Sequence, residues 1–371
     1  MNRKIPYDRG LMLIVLALLG FGLVIVFSAS SVVSKEIYGS QTHIFTRQFI
    51  SVVLGLLLLF LAMKIDYHTY ARRTVIYAML IGAGALLILP LLSAETNGAR
   101  RWVSLGPANF QPSELAKLVI ICFTAYYLVR KKDELNTFRT GLLPYLGVLG
   151  SIVLLILLEL DLGTPACIVL TAGVLLYLGG LDYRYYLACV LTAGPLFYLL
   201  VLRVPYRRNR ILAFMDPGQD PYGMGYQIRQ SLIAVGSGGW NGLGFAEGKQ
   251  KLFFLPEPHT DFIFAVIGEE LGLTGCAALV VLFVLLFWRG IRVSLRADTP
   301  FGTFLGVGIV CMIVLQAFIN MSVAISLMPT KGIPLPFISV GGSSMLIMLM
   351  AIGVLLNISR HSRGSEERSC S

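Results

Sequence analysis

The amino-acid sequence predicts an all-α polytopic membrane protein, a bundle of about ten transmembrane helices with a long extracytoplasmic loop between spans 7 and 8. Its 371 residues are 56% hydrophobic and only 13% charged, about half the charged fraction of an ordinary soluble domain. Apolar runs of roughly 20 residues, long enough to cross a ~30 Å hydrocarbon core, recur from one end to the other. These observations leave no room for a sizeable soluble domain.

The apolar runs place the spans in order along the chain. They lie near 11–30, 47–63, 74–93, 111–129, 141–160, 163–180, 186–202, 260–287, 301–327 and 339–357. The first run, LMLIVLALLGFGLVIVFSAS, is too long for the core of a signal peptide, so we expect it to be retained. We therefore predict one transmembrane domain over 1–371, with a long outer loop at 203–259 and a short cytoplasmic tail at 359–371.

The distribution of basic residues predicts the orientation. Lys and Arg crowd into the short segments on one side, such as RKKDELNTFR at 130–139, and the positive-inside rule places both termini in the cytoplasm. The loop at 203–259 is also basic, but loops near 60 residues report topology weakly. In a membrane protein the net charge of +10 indicates topology signals and anionic lipids rather than nucleic acid.

Ionisable residues collect at the predicted outer ends of the spans, where charge is costly and marks function by default. In RRWVSLGPANFQPSELAK, Glu114 and Lys117 share one face of a helix that Pro112 begins. They form either a structural salt bridge or the polar lining of an outward cavity with Arg101 at its mouth. In LLELDLGTPA, Asp161 either caps the following helix or lines the same cavity.

The stretch FFLPEPHTDFIFAVIGEELG holds the most acidic group of residues in an otherwise apolar region. Asp261 begins the eighth span, either as a helix cap or as a desolvated base, because burial raises the pKa of a carboxyl group. Glu269 and Glu270 come roughly 12 to 14 Å deeper along the helix, and we expect them to pair with buried arginines. Together with a proline-stiffened loop at 329–336, these groups predict a polar cavity open to the outer leaflet.

Five long motifs in a fixed order carry a resemblance to a known family. They are GARRWVSLGPANFQPSELAK, DLGTPA, RNRILAFMDPGQDPYGMGYQIRQSLIAVGSGGWNGLGF, FLPEPHTDFIFAVIGEELG and PTKGIPLPFISVGGSS. Over nearly the whole chain the sequence resembles the SEDS proteins (shape, elongation, division and sporulation). The phrase FINMSVAISLMPTKGIPLPF is more similar to the division members than to the elongation members. Leu160 and Val340 depart from the usual proline and tyrosine of the family motifs.

The resemblance implies an inverting peptidoglycan glycosyltransferase that joins lipid II units outside the cytoplasmic membrane, at the division septum for a division member. It implies Asp261 as the general base. The implied substrate contacts are Glu114, Lys117, Arg101, Asp161, Arg208, Arg210, His259, Lys331 and Ser343. A divalent cation, Mg²⁺ or Mn²⁺, at the pyrophosphate is left open. The implied partners are lipid II, a class B penicillin-binding protein and other division proteins.

Two functions from other classes remain open at this point. A lipid flippase would also need intramembrane charges, although transporters often carry internal repeats and broken helices at mid-membrane. A scaffold that only recruits division enzymes would explain the lipid-facing surface but not the costly carboxylates. An elongation polymerase is the alternative within the family.

Overall fold

The computed structural model describes residues 7–92, 101–105, 108–198, 203, 205–216 and 223–369. Within these ranges only the backbone is described at residues 105, 108, 193, 196, 197, 205–207, 209, 224 and 362–369. The described chain is almost wholly helical, as predicted. Its α-helices are α1 (Arg9–Tyr38), α2 (His43–Ala62), α3 (Arg73–Leu91), α4 (Pro112–Arg130), α5 (Leu143–Leu158), α6 (Gly163–Leu178), α7 (Tyr183–Phe197), α8 (Pro205–Met215), α9 (Met224–Ser237), α10 (Ile263–Leu295), α11 (Pro300–Ala324) and α12 (Gly342–Ser369).

Short elements connect several of these helices. A 3₁₀ helix occupies Tyr67–Ala71, a second lies at Lys132–Glu134, and a π-helical turn at Phe138–Leu142 leads into α5. Strands β1 (Val103–Leu105) and β2 (Ala108–Phe110) pair antiparallel, with Ser104 opposite Asn109. The sequence did not predict this hairpin.

Each of the ten predicted spans overlaps a helix in the described part of the chain. Residue 93 of the third predicted span and residues 199–202 of the seventh lie outside the described residues. In the described part of the chain, eight helices are long and apolar enough to cross a membrane, and α6 is a shorter apolar helix of 16 residues. The long segment 203–259 contains α8 and α9. The α12 helix continues through Ser369 and so includes most of the predicted tail.

The spans divide into central and peripheral helices. In the most apolar 18-residue stretch of α4 and of α12, 83% of the residues are buried. The corresponding share is 22% in α2 and 28% in α3. A helix that is apolar all round and buried belongs at the centre of a bundle. Gly353 on α12 permits a close approach, because a Cβ there would lie 2.4 Å from the backbone oxygen of Leu59 on α2.

Side-chain contacts define two ends of the bundle. At one end Asp8 accepts a hydrogen bond from Arg289 (Nε–Oδ1, 3.0 Å), and its backbone N–H donates to Ser359 at the same distance. We call this the Asp8 end. At the other, the Asp261 end, Val340 N–H donates to the carbonyl of His259 at 3.0 Å.

The α10 helix is bent near its start. Gly272 has φ +64° and ψ −161°, which interrupts the helix after Leu271, and kinks of this kind free backbone groups from the helical ladder. The glycine-rich segment 239–244 binds the freed groups. Leu243 and Gly244 donate to the carbonyls of Glu269 and Glu270, and Leu273 donates to the carbonyl of Gly239. The kink thus docks part of the long segment onto the bundle.

The helix α9 packs against α10 and α11. Ile228 and Ala234 are buried, and the hydroxyl of Ser231 donates to the carbonyl of Ala324 at 2.6 Å. A second apolar cluster, which includes Ala234, Leu255 and Phe262, lies under this segment. The described part of 203–259 is therefore folded against the spans rather than separate from them.

Candidate functional site

Asp261 lies in the turn before α10, two residues ahead of the first helical residue. The end of α11 holds this turn in place, because the Asn320 side-chain amide donates to the carbonyl of Asp261 at 2.9 Å and to that of Ile333 at 2.8 Å. The Ser339 hydroxyl donates to the carbonyl of Thr260 at 2.6 Å. The turn and the loop 329–341 are therefore one bonded unit at the Asp261 end.

The carboxyl group of Asp261 and the guanidinium group of Arg101 both lie next to Gly332. A Cβ at Gly332 would lie 3.4 Å from Oδ2 of Asp261 and 3.6 Å from Nη1 of Arg101. Burial raises the pKa of Asp261 to about 7, and the charge of Glu257 acts in the same direction, while Arg210 and Arg101 oppose the shift. A carboxyl group with a pKa near the working pH is suited to general-base catalysis.

Asp161 and Lys331 lie close enough to this group to act on it or on each other. The charge of Asp161 contributes to the raised pKa of Asp261. Burial lowers the pKa of Lys331, and the nearby charge of Asp161 opposes that shift. Asp161 also caps α6, since its oxygens accept from Gly163 N–H at 2.9 Å and from the Thr164 hydroxyl at 2.7 Å. Asp161 therefore acts as a cap for α6, and its place in the lining of a cavity stays a prediction.

Arg101 approaches the site through the turn between α5 and α6. Its Nη2 donates to the carbonyl of Leu160 at 2.7 Å. Leu160 has φ +61°, a left-handed conformation that costs an ordinary side chain free energy and that proline cannot adopt. The departure from the family proline at this position thus accompanies a backbone shape that proline would prevent.

Glu159 is a residue of this site that the sequence interpretation missed. It directly follows α5, its side chain is fully buried, and neither carboxylate oxygen has a hydrogen-bond partner among the described residues. Burial raises its pKa to about 8; Asp161 adds to the shift and Arg101 opposes it. The signal was an acidic residue at the end of an apolar run, next to the Asp161 that was recognised.

Two of the predicted substrate contacts, Arg208 and Arg210, lie on α8 and differ in how far they are exposed. Arg210 is half-buried and its charge acts on Asp261, whereas Arg208 is exposed. His259 lies two residues before Asp261, and burial lowers its pKa while Glu257 opposes the shift. The structure therefore brings Arg101, Arg210, Asp161, Lys331 and His259 toward Asp261, and leaves Arg208 at the surface.

Glu114 and Lys117 are joined inside the bundle. Their side chains form a buried ion pair at 2.8 Å, and the Lys117 ammonium also donates to Gln316 at 2.7 Å. Gln316 in turn donates to the carbonyl of Pro334 at 3.0 Å. This arrangement supports the loop next to Asp261, and a direct contact of Lys117 with substrate stays a prediction.

Ser343 is engaged in holding the hairpin. Its hydroxyl donates to the carbonyl of Asn109 at 3.1 Å and accepts from Gln111 N–H at 3.0 Å. It thereby ties β2 and the start of α4 to the start of α12. Its role in substrate binding also stays a prediction.

Among the residues that the structure describes, Glu269 and Glu270 pair with a lysine and with backbone donors rather than with arginines, so that expectation is wrong. Glu270 binds the Lys251 ammonium and accepts from the Ser28 hydroxyl at 2.7 Å. Glu269 accepts from the backbone N–H of Lys249 at 2.7 Å. The segment that wraps the Gly272 kink supplies a lysine to Glu270 and backbone donors to Glu269.

Binding of a divalent cation near Asp261 would need ligand atoms from the substrate as well as from the protein. In the ranges that the structure describes, the acids around Asp261 do not place three potential ligand atoms within 4.8 Å of one another. Mg²⁺ is commonly held by one or two carboxylates together with substrate phosphates. The residues present do not by themselves form a complete site, and a cation at the pyrophosphate stays a prediction.

Fold and site together define a polytopic helical membrane protein with a cluster of ionisable side chains around Asp261 at one end of its bundle. A family model described as "Cell cycle protein", covering FtsW, RodA and SpoVE, matches residues 9–364. The chain belongs to this family, which confirms the resemblance seen in the motifs.

Similar proteins cover nearly the full length. The chain is 44% identical over 362 residues to "Probable peptidoglycan glycosyltransferase FtsW" of Geobacter sulfurreducens, covering 97% of this chain and 96% of the relative. It is 42% identical to "Stage V sporulation protein E" of Bacillus subtilis, covering 98% and 99%.

Solved structures agree with these relatives. A chain of a peptidoglycan synthase complex, studied for the coordination of polymerization and crosslinking, matches with a TM-score of 0.79 at 30% identity, covering 96% of this chain and 99% of that one. The rod shape determining protein RodA of Thermus thermophilus matches with a TM-score of 0.70 at 29% identity, covering 96% and 97%.

Proposed function

We propose that this protein is a peptidoglycan glycosyltransferase that polymerises lipid II, with Asp261 as its general base. The observation that carries the proposal is the environment of Asp261. Its carboxyl group is beside Arg101, within the field of Arg210, and has its pKa raised to about 7. Such a group takes up a proton at neutral pH and still lies among cations that bind a phosphate-bearing donor.

The chemistry is a single displacement. Asp261 accepts the proton of the acceptor sugar's 4-hydroxyl, and the resulting oxygen attacks the anomeric carbon of the donor. The bond from that carbon to the pyrophosphate oxygen breaks, and undecaprenyl pyrophosphate leaves with the electron pair. The configuration at the anomeric carbon inverts. One base and a stabilised leaving group suffice, unlike the two carboxyl groups of hydrolysing glycosidases.

Basic residues around Asp261 account for the leaving group. Arg101, Arg210 and Lys331 supply positive charge near the acid, from the segment before β1, from α8 and from the loop before α12. Arginine binds phosphate oxygens in pairs, which favours Arg101 and Arg210 for the pyrophosphate. Burial lowers the pKa of Lys331, and the neighbouring charge of Asp161 opposes that shift.

The cellular setting forms part of the proposal. The Asp261 end would face the outer leaflet and both termini the cytoplasm, as the basic inner segments favour. The 44% identity to an FtsW protein supports a role in septal synthesis with a class B penicillin-binding protein and other division proteins. Depletion that yields filamentous cells would support division, and round cells would support the elongation alternative.

Polymerisation of purified lipid II by the purified protein, with and without its transpeptidase, tests the function. We expect glycan strands from the native protein, and Asp261→Asn should lower the rate by about 10²- to 10⁴-fold, the usual contribution of a general base. The matched control is Asp133→Asn, which makes the same chemical change at an exposed aspartate. Asp133 follows the last residue of α4, away from the Asp261 end.

Three outcomes decide the matter. Full activity of Asp261→Asn would remove the proposed base. Equal losses in the two asparagine variants would point to a general effect of the substitution. Transfer of lipid II between leaflets of a liposome without any polymer would identify a flippase instead.

A further inference from the structure

Two histidines and an aspartate meet at the Asp8 end, far from Asp261. In the described ranges, Asp66, His68 and His361 are the group of three His, Cys, Asp or Glu residues whose ligand atoms all lie within 4.8 Å of one another. We propose that these residues bind Zn²⁺ or a similar late first-row divalent cation. Neither the glycosyltransferase reaction nor its substrates require such a site.

The distances suit a small cation. Nδ1 of His68 lies 2.7 Å from Oδ1 of Asp66, and Nε2 of His361 lies 3.8 Å from the same oxygen. A tetrahedral zinc site with bonds near 2.0 Å separates its ligand atoms by roughly 3.3 Å. The two observed separations bracket that value, and all three ligand atoms lie within 4.8 Å of one another. The shorter separation is a hydrogen bond between His68 and Asp66, which a bound cation would replace. All three side chains are partly exposed, which leaves the fourth position to water.

The ring of His361 is already oriented as a ligand. Its Nδ1 lies 3.0 Å from the carbonyl oxygen of Asn357, and a carbonyl accepts, so Nδ1 carries the hydrogen. That tautomer leaves the lone pair on Nε2, the nitrogen that faces Asp66. A histidine whose second nitrogen donates to a backbone carbonyl is the usual outer support of a metal site.

The framework behind the ligands is rigid. Asp66 and His68 flank Tyr67, which is fully buried and whose ring stands edge-on to His361 at 5.3 Å. Asn357 accepts from Tyr67 N–H at 3.0 Å and donates to the carbonyl of Met63 at 2.8 Å. The segment after α2 and the end of α12 are thus held in register without a cation, and a bound cation would cross-link them.

The ligand set selects the class of cation. Imidazole nitrogens suit zinc, nickel and copper, whereas Mg²⁺ and Ca²⁺ prefer oxygen ligands. The proposed site is therefore chemically distinct from any Mg²⁺ or Mn²⁺ bound with pyrophosphate at the Asp261 end. It is also separate in place, because Tyr67 bonds Thr299 just before α11 (3.1 Å), whereas Asn320 near the end of α11 binds the Asp261 turn.

Calorimetric titration of Zn²⁺ into the full-length protein in detergent tests the site. The protein is purified without a histidine tag and treated with a chelator first. We expect one Zn²⁺ per chain and a higher thermal midpoint with the ion. His68→Gln and His361→Gln should each weaken binding at least about tenfold, and excess Mg²⁺ should not compete.

His43→Gln is the matched control, since His43 is an exposed histidine at the start of α2, at the other end of that helix from Asp66. It should bind zinc as the native protein does. Thermal midpoints measured with chelator show whether each variant is folded, and Asp66→Asn replaces any that is not. Unchanged zinc affinity in the His68→Gln, His361→Gln double variant, or equal weakening by His43→Gln, would overturn the proposal.

Discussion

Two sets of buried carboxyl groups flank the start of α10, and they differ in how their oxygens are occupied. Glu269 and Glu270, before the Gly272 kink, are bound by Lys251, by Ser28 and by backbone N–H groups of the wrapping segment. Glu159 has no hydrogen-bond partner among the described residues, and Asp261 has its pKa raised to about 7.

The difference separates stabilising acids from reactive ones. A buried carboxylate whose oxygens receive several donors is stabilised by them and can hold neighbouring segments together. One that is desolvated without matching donors is costly to the fold but basic enough to take a proton. The acids at the kink therefore hold the long segment to the bundle, whereas a chemical role for those near Arg101 is what we propose.

Replacing one of the two acids at the kink, Glu269 and Glu270, should give the largest effect on stability. Glu270→Gln leaves the buried Lys251 ammonium without its counter-charge, and loss of one member of a buried pair costs about 3 to 5 kcal/mol. We expect a strongly lowered thermal midpoint in detergent. Asp261→Asn, which removes an acid that the fold pays to bury, should leave the midpoint nearly unchanged. Equal destabilisation by both variants would erase the distinction between the two sets.

The Glu114–Lys117 pair is also buried, gives an effect of the same order, and decides its open role. Lys117→Met leaves Glu114 without its counter-charge and removes the hydrogen bond to Gln316, at a cost of about 3 to 5 kcal/mol. If the pair is structural, Glu114→Gln combined with Lys117→Met should recover part of the thermal midpoint and of the activity together. Recovery of stability with activity still lost would assign Lys117 to substrate binding.

Glu159 provides a pH test of the reactive set. Because the fold raises its pKa from 4.5 to about 8, the folded state holds the proton more tightly than the unfolded chain. Its contribution to stability is present at low pH and is lost as pH rises from about 4.5 to 8. Relative to the native protein, Glu159→Gln should gain on the order of 1 to 2 kcal/mol between pH 6 and pH 8. A difference that does not vary with pH would mean that Glu159 is not buried as a neutral acid.

Much of the fold could be predicted because it depends on local composition. Apolar runs placed all ten spans on helices, since bilayer thickness fixes the length of each run. The hairpin at 103–110 could not be predicted, because three-residue strands carry little signal and Ser343 anchors this one from more than 200 residues away. The kink at Gly272 was equally hidden, as the donors that make it tolerable lie at 239–244.

The candidate site could be predicted in part. Asp261 and Asp161 were visible as acids at the boundaries of apolar runs, and the family motifs pointed to the same positions. Arg208 is exposed and Arg210 is half-buried because of the face that α8 turns toward the bundle. The few residues around these arginines do not specify that face. The predicted arginine partner of Glu270 was wrong for a related reason. The actual partner, Lys251, reaches Glu270 only because the segment that contains it folds against α10.

The smallest predicted effect concerns the pH at which the reactive acid titrates. The carboxylate form of Asp261 is the proposed base, so kcat/KM should fall tenfold per pH unit below about 7 and level off above it. The charge of Glu257 raises this pKa and that of Arg210 lowers it. Glu257→Gln should therefore move the limb to lower pH, and Arg210→Met to higher pH, each by less than about one unit. Shifts of the same sign in both variants would show that a group other than Asp261 controls the limb.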